Sequence, residues 1–377
     1  MVTRVMMIAG EASGDLHGAG VVKALRTMVP GIDIFGIGGE NMRSEGMEIV
    51  QHISSMSFMG FVEVIRHLSV IRNVERRLLS MLDERKPDVV VLIDYPGFNL
   101  RFARAVKARR IPILYYISPQ VWAWNRRRVK KIRRLVNAMK VILPFEVDLY
   151  RREGIDAEFV GHPIVERIGS ISSREDFLRA NGLDPAFRLL ALFPGSRLQE
   201  LERIMPVLVD VARKIRATPG IQVALGVAPN LGPETVSRFL PEGSGITLVE
   251  HGAYDLMQHA DAAIVTSGTA TLEAGWFGTP MVIVYRTSPL TYLIGRLLVN
   301  VPYIGLVNIV AGSKVVPEFV QGEMTLGKLL PSVRRLLLDR AYAQEIREKL
   351  AVIKERLGGP GASERVARGI ISLAKAS

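Results

Sequence analysis

The chain has 377 residues, 48% of them apolar and 7% aromatic, with no cysteine and a formal charge of +12. That length suits two domains that each bury a core, and the missing cysteine excludes disulfides and thiolate metal sites. Met1 to Gly10 is too short before its first glycine and acid for a secretory signal, and Leu297 to Ser313 is interrupted by Asn300, Pro302, Gly305 and Asn308, so no spanning helix is expected.

Short β-branched runs alternate with helical stretches, the pattern of βαβ units around a parallel sheet. In chain order, strands are predicted from Arg4 to Ile8, Ile32 to Gly36, Val89 to Ile93, Ile113 to Ile117, Val141 to Leu143 and Glu158 to Val160. Helices are predicted from Gly18 to Met28, Val70 to Arg85, Phe98 to Ala108 and Arg127 to Val136. Gly161-His162-Pro163 and a Ser-rich stretch then interrupt the pattern. It restarts with strands from Leu189 to Phe193, Gln222 to Val227, Ile246 to Val249, Ala262 to Val265 and Met281 to Val284. The end reads as helices from Leu326 to Leu338, Ala341 to Leu357 and Ser363 to Lys375. Two Rossmann-like halves joined by a linker account for this.

The charge is local. Between Asp94 and Glu146 there is no acid but there are 13 Lys and Arg, so the rest of the chain carries −1. Such a block points to an anionic partner, either a membrane surface or nucleic acid.

Nucleotide fingerprints are weak. Gly10, Gly14 and Gly18 have the wrong spacing for G-x-G-x-x-G, and Gly322 to Lys328 is followed by Leu329, without the hydroxyl a phosphate loop requires. No G-x-S-x-G elbow occurs and the histidines lack metal-ligand spacing. The remaining chemistry lies where open α/β sheets place ligands, after the strands' C-terminal ends. Pro194-Gly195-Ser196-Arg197 and Thr266-Ser267-Gly268-Thr269-Ala270-Thr271-Leu272-Glu273 offer small residues, hydroxyls, an arginine and following helix N-termini, all suited to phosphate. Each also suits an ordinary helix cap. Asp94, after the third predicted strand, suits a general base toward a hydroxyl or, equally, a helix N-cap.

Taken together, Gly10-Glu-Ala-Ser-Gly-Asp15, Met59-Gly-Phe-Val-Glu-Val64, Ile93-Asp-Tyr-Pro-Gly-Phe-Asn99, Ile117-Ser-Pro-Gln-Val-Trp-Ala-Trp124, Leu143-Pro-Phe-Glu146, Phe159-Val-Gly-His-Pro163, Pro194-Gly-Ser-Arg197 and Thr266 to Glu273 resemble the lipid A disaccharide synthase family. The resemblance implies an α/β GT-B fold of two Rossmann-like domains facing a cleft, with C-terminal helices. Residues 1–165 would form the acceptor and membrane-facing domain and 166–340 the UDP-donor domain, with 341–377 packing back on the first. The implied reaction is an inverting glycosyl transfer in lipopolysaccharide biosynthesis. It joins UDP-2,3-diacylglucosamine to 2,3-diacylglucosamine 1-phosphate, giving a β-1,6-linked disaccharide 1-phosphate and UDP.

Carried over by position, the resemblance makes Asp94 the base and assigns Glu11, Ser13 and Gln120 to the acceptor. It assigns Gly195, Ser196, Arg197, Ser267, Gly268, Thr269 and Thr271 to the diphosphate and Glu273 to the ribose. Asn308, Glu318 and Gln321 are further donor residues, although Val307 stands where family members commonly have proline. No Asp-x-Asp pair occurs, so neither a metal nor another cofactor is expected. The apolar residues from Phe61 to Val74, among them Val64, Leu68 and Ile71, surround most of a helical wheel. A wheel that wide suits a partly exposed, lipid-binding helix facing the membrane, with Val64, Leu68 and Ile71 against the acyl chains, the other reading being a helix buried on two sides. The resemblance also implies peripheral association with the cytoplasmic face of the inner membrane and a homodimer with exchanged C-terminal parts. Rival readings are a UDP-N-acetylglucosamine 2-epimerase or a muramyl-lipid N-acetylglucosaminyltransferase on the same fold and, more distantly, a nucleic-acid-binding module built on Tyr115 to Arg134.

Overall fold

The computed structural model describes residues 3–55, 68–123, 127–299 and 301–376. The chain forms two compact units: Met1–Glu166 with Leu357–Ser377, and Arg167–Arg356. Residues 341–356 thus belong with the second unit, and only the last helix, Ala362–Lys375, returns to the first.

The first unit carries a parallel sheet of β1 (Arg4–Ala9), β2 (Asp33–Gly38), β3 (Glu48–His52), β4 (Val89–Ile93), β5 (Ile113–Tyr116), β6 (Ala138–Val141) and β7 (Ala157–Phe159), in the order β3-β2-β1-β4-β5-β6-β7. β4 reads Val-Val-Val-Leu-Ile and is buried throughout, as a parallel strand covered on both faces must be. Alternate residues serve opposite faces. Met6, Ile8, Val90 and Leu92 pack under the helices Leu68–Arg85, Pro96–Ala108 and Arg127–Leu135. Val5, Met7, Val89 and Val91 pack under Ala12–Met28 and Ala362–Lys375.

The helix Leu68–Arg85 settles part of the two-sided apolar wheel. Ile71 and Val74 are 7% and 4% exposed and lie with Leu78 and Leu82 in the sheet core. Their helical spacing aims them at the sheet, so Ile71 belongs to the core and not to an exposed membrane face. Val64, the motif Met59 to Val64 and the side chain of Leu68 lie outside the described residues, as does Trp124.

The second unit carries β8 (Arg188–Phe193), β9 (Ile221–Gly226), β10 (Ile246–Val249), β11 (Ala262–Thr266), β12 (Met281–Tyr285) and β13 (Glu318–Val320). This sheet is also parallel, in the order β10-β9-β8-β11-β12-β13. Both sheets reverse their strand order next to their first strand. In the first the switch lies between β1 and β4, in the second between β8 and β11. Such points leave a crevice outside the strands' carboxyl ends, where open α/β sheets bind ligands. Among the described residues no helix is long and apolar enough to cross a membrane.

Candidate active site

At the first switch point β1 and β4 run in register, Ala9 beside Ile93. The next residues are therefore Gly10-Glu11 on one strand and Asp94-Tyr95 on the other. Asp94 and Tyr95 both adopt left-handed backbone conformations, φ 43° and 46°, which non-glycine residues hold only when their surroundings enforce it. The enforcement is visible. The Asp94 amide donates to the Tyr116 carbonyl at 3.0 Å. Its own carbonyl accepts from Asn99 Nδ2 at 2.7 Å and from the Tyr115 hydroxyl at 2.6 Å. The Tyr95 ring lies on Gly10, where a Cβ would stand 2.2 Å from Tyr95 Cδ1, so this approach requires glycine.

The result is a carboxyl fixed at the strand end. Burial, followed by the nearby charge of Glu11, pushes Asp94 up to about 6, against a hydrogen bond from the Tyr95 backbone. The following helix, Pro96–Ala108, has Tyr95 at its N-cap and no side-chain cap, so Asp94 does not perform that role. Glu11, Ser13 and Gln120 are exposed, the last in the turn after β5. Asp15, in the same motif as Glu11, is structural: it is buried and accepts from the backbone of Gly39, Asn41 and Met42.

Sequence reasoning missed Glu146. It is 2% exposed and accepts from Ser118 Oγ at 2.6 Å, Trp122 Nε1 at 3.1 Å and the Leu143 amide at 3.2 Å. Burial pushes it up to about 7 despite these donors. Through Ser118 and Trp122 it holds both ends of the turn that carries Gln120. The quoted motifs contain both partners, but their separation of 28 residues hides the bond.

At the second switch point, β8 leads into Pro194 to Arg197 and β11 into Ser267 to Glu273. Ser196, Arg197 and Thr269 are exposed, and Gly268 has open space where a Cβ would project. The Ser196 and Arg197 amides donate to Glu200 Oε2 at 3.0 and 3.3 Å, and the Arg197 guanidinium lies 3.5 Å from Glu200 Oε1. A carboxylate of the chain itself thus sits where these donors would meet an external anion. Gly195, at φ 111°, leaves room for it, since a Cβ there would stand 2.2 Å from Glu200 Oε2.

Four of the residues expected at the donor, Thr271, Ser267, Asn308 and Glu318, have hydrogen-bond partners within the chain. Thr271 is fully buried, donates to the Gly268 carbonyl at 2.8 Å and receives the Val307 amide. Ser267 donates to the Ile304 carbonyl at 2.8 Å. Asn308 is also fully buried: its Nδ2 donates to the Val316 carbonyl and Glu318 Oε1, and its Oδ1 accepts from the Val315 and Val316 amides. Every polar atom of the Asn308 side chain is engaged, so it braces the chain before β13 and leaves no group for a donor. Glu318 completes the brace by accepting from the Ile304 and Gly305 amides. Gln321, in the left-handed region at φ 53°, follows β13, and its carbonyl accepts from Arg286. Glu273 takes the Tyr254 hydroxyl at 3.1 Å on Oε1, and no hydrogen bond engages Oε2 among the described residues. Burial pushes Glu273 upward, opposed by Arg167 and by Tyr254.

Two parallel sheets with cross-connecting helices, each bearing candidate ligand groups at its switch point, define an α/β enzyme of the GT-B type. Solved structures share the fold: a putative UDP-N-acetylglucosamine 2-epimerase from Listeria monocytogenes (TM-score 0.68, 14% identity, covering 100% of this chain and 98% of that one) and the glycotransferase of kitacinnamycin (TM-score 0.66, 17% identity, 99% of each). At those identities the likeness concerns fold alone.

Sequence relatives narrow the class. The family model described as Lipid-A-disaccharide synthetase matches residues 5–366. Lipid-A-disaccharide synthase of Geobacter sulfurreducens is 45% identical over 370 residues, covering 98% of this chain and 96% of the relative. The Myxococcus xanthus enzyme is 44% identical over 374 residues, covering 98% and 97%. The chain belongs to the lipid-A-disaccharide synthetase family and is a glycosyltransferase.

Proposed function

We propose that this glycosyltransferase condenses UDP-2,3-diacylglucosamine with 2,3-diacylglucosamine 1-phosphate, forming the β-1,6-linked disaccharide 1-phosphate and releasing UDP. The observation that carries the proposal is Asp94. It is a carboxyl locked at a strand end in a left-handed conformation and raised to about 6 by burial and Glu11, in a member of this family. A group with that affinity for a proton is ionised at neutral pH yet basic enough to take one from the acceptor 6-hydroxyl as its oxygen attacks C1 of the donor sugar. One carboxylate serving a single displacement inverts the anomeric centre. Glu11, Ser13 and Gln120 are exposed and available to orient the acceptor.

The second unit serves the leaving group. Cleavage of the sugar–UDP bond leaves negative charge on the diphosphate, which the Ser196 and Arg197 amides, the Arg197 guanidinium and the N-terminus of Thr269–Phe277 would stabilise. Glu273 Oε2 is an acceptor for a ribose hydroxyl. Thr271, Ser267, Asn308 and Glu318 shape this region without touching the nucleotide. Fixed cationic and amide donors answer the charge without a metal, so a chelator should leave turnover unchanged. The same reading places the enzyme peripherally on the cytoplasmic face of the inner membrane, where both lipid substrates are accessible, as a homodimer.

The test is mass detection of the tetraacyl disaccharide 1-phosphate from the two lipids, comparing the wild type with Asp94→Ala. Product from the wild type and its loss by about 10² to 10⁴ in the variant are expected. Turnover of UDP-N-acetylglucosamine without lipid would support an epimerase and overturn the proposal.

A further inference from the structure

The buried acid Glu146 stands outside the reaction proposed above, at the start of the helix Phe145–Arg152 that follows β6. Ser118 Oγ and Trp122 Nε1 both donate to its Oε1, and the Leu143 amide donates to its Oε2. The two side-chain donors come from the turn after β5, the strand beside β6. That turn is held at further points. Its first residue, Ile117, is left-handed at φ 61°, which a β-branched residue adopts only under constraint, and its amide donates to the Lys140 carbonyl at 3.0 Å. The Pro119 carbonyl accepts from the Tyr150 hydroxyl at 3.3 Å, and the Gln120 carbonyl accepts from the Ala123 amide at 3.1 Å. The Trp122 ring stands edge-on to Phe145, 5.3 Å between centroids.

The turn leaves the sheet beside the proposed base, since Tyr116 pairs with Ile93 and its carbonyl accepts from the Asp94 amide. Of residues 117–123, Gln120 alone is exposed. Stability does not account for the acid beneath them. A buried carboxylate gives up its hydration, and apolar side chains of similar volume would hold the space at least as well. A buried network whose members are all bonded fixes one geometry instead. What this one fixes is the direction of a single amide, which carries both a donor and an acceptor.

We propose that Glu146 is a positioning residue for the acceptor sugar: through Ser118 and Trp122 it fixes the turn after β5 so that Gln120 presents its amide to the acceptor's hydroxyls. The inference rests on the reading of Gln120 as an acceptor residue. Glu146 itself touches no substrate. Loss of its hold therefore weakens capture of the acceptor and leaves the nucleotide, assigned to the second unit, unaffected.

The test is steady-state kinetics of the full-length protein with both lipids, varying 2,3-diacylglucosamine 1-phosphate. Trp122→Phe keeps the ring against Phe145 and removes the Nε1 donor. It should raise the acceptor KM about tenfold, the scale of one hydrogen bond to a charged group, while kcat and the calorimetric affinity for UDP stay within about twofold. Ser118→Ala should do the same. Glu146→Gln still offers Oε1 to both donors and should hold the acceptor KM within about threefold, whereas Glu146→Ala should exceed either donor variant. If Glu146→Ala misfolds by circular dichroism, the two donor variants carry the reading. Gln120→Ala should raise the acceptor KM by itself, and adding Trp122→Phe to it should change nothing further, because both act through one amide. Full additivity of that pair would overturn the inference, as would an unchanged acceptor KM in active Trp122→Phe and Ser118→Ala enzymes. Equal losses of kcat and UDP affinity would make the cluster a structural support, which also overturns it. An unchanged acceptor KM in Gln120→Ala would remove Gln120 from the acceptor site and the inference with it. A wild type that forms no disaccharide would overturn the proposed reaction, a failure distinct from all of these.

Discussion

The two sheets share one topology and differ in what they present at the switch point. The first gathers carboxyls, Glu11 and Asp94, on a strained backbone pinned by Asn99 and Tyr115. The second gathers amides, small hydroxylic residues and an exposed arginine, with Glu200 and Glu273 among its counter-charges. The same βαβ geometry thus raises proton affinity in one unit and offers positive potential in the other. The lesson is that the crevice is generic, whereas the side chains at the strand ends decide whether it removes a proton or holds a phosphate.

The largest expected effect would break this contrast at its acidic end. Asp94→Asn should lower kcat by about 10³ and at the same time stabilise the fold at pH 8. The folded state raises this carboxyl from 3.8 to about 6. The stability contributed by the protonated form is therefore fully present below pH 4 and lost as pH rises through about 6. A neutral amide avoids that loss, a gain on the order of 1–3 kcal/mol. Turnover and melting temperature of the same samples check both signs, and a drop in both would mean that Asp94 is structural.

At the cationic end, Arg197→Ala should weaken UDP binding by about tenfold, the scale of a charged hydrogen bond, without changing the melting temperature. Calorimetric titration with UDP checks it, and unchanged affinity would remove Arg197 from the donor site. The pH profile sharpens the comparison further. The wild-type kcat/KM should fall tenfold per unit below about pH 6, following Asp94, while UDP affinity stays level between pH 6 and 8. The smallest effect concerns Glu200. Glu200→Gln keeps an acceptor for the Ser196 and Arg197 amides but removes the competing charge, so UDP should bind about fivefold more tightly, roughly 1 kcal/mol for charges 4 Å apart in water. Weaker binding would make the carboxylate a support for the loop instead of a competitor.

Much of the fold could be read from the sequence because buried parallel strands are nearly continuous β-branched runs, as in Val89 to Ile93. Two strands escaped altogether, β3 and β13, which lie at sheet edges, begin with glutamate and bury little, so their composition resembles a loop; β6 runs from Ala138 to Val141 and shares only Val141 with the expected strand Val141 to Leu143. The candidate site was legible where a turn directly follows a strand, as at Asp94 and Arg197. It was not legible where a role depends on distant partners. Asn308 reads as a ligand until its bonds to Val315, Val316 and Glu318 are seen, and Glu146 reads as an ordinary helix-start acid until Ser118 and Trp122 meet it.

The return of the last helix to the first unit bears on how the chain is made. Val366, Ala367 and Ile370 lie in one core with Val89, Val91 and Leu114, in a helix that packs on β4 and β5, yet they are synthesised after the whole of Arg167–Arg356. During translation the second unit is complete while one face of the first sheet still waits for part of its cover, over β4 and β5. The earliest-made half of the molecule is therefore the last to close, and the part of that face not covered by Ala12–Met28 is the surface that a chaperone would have to shield.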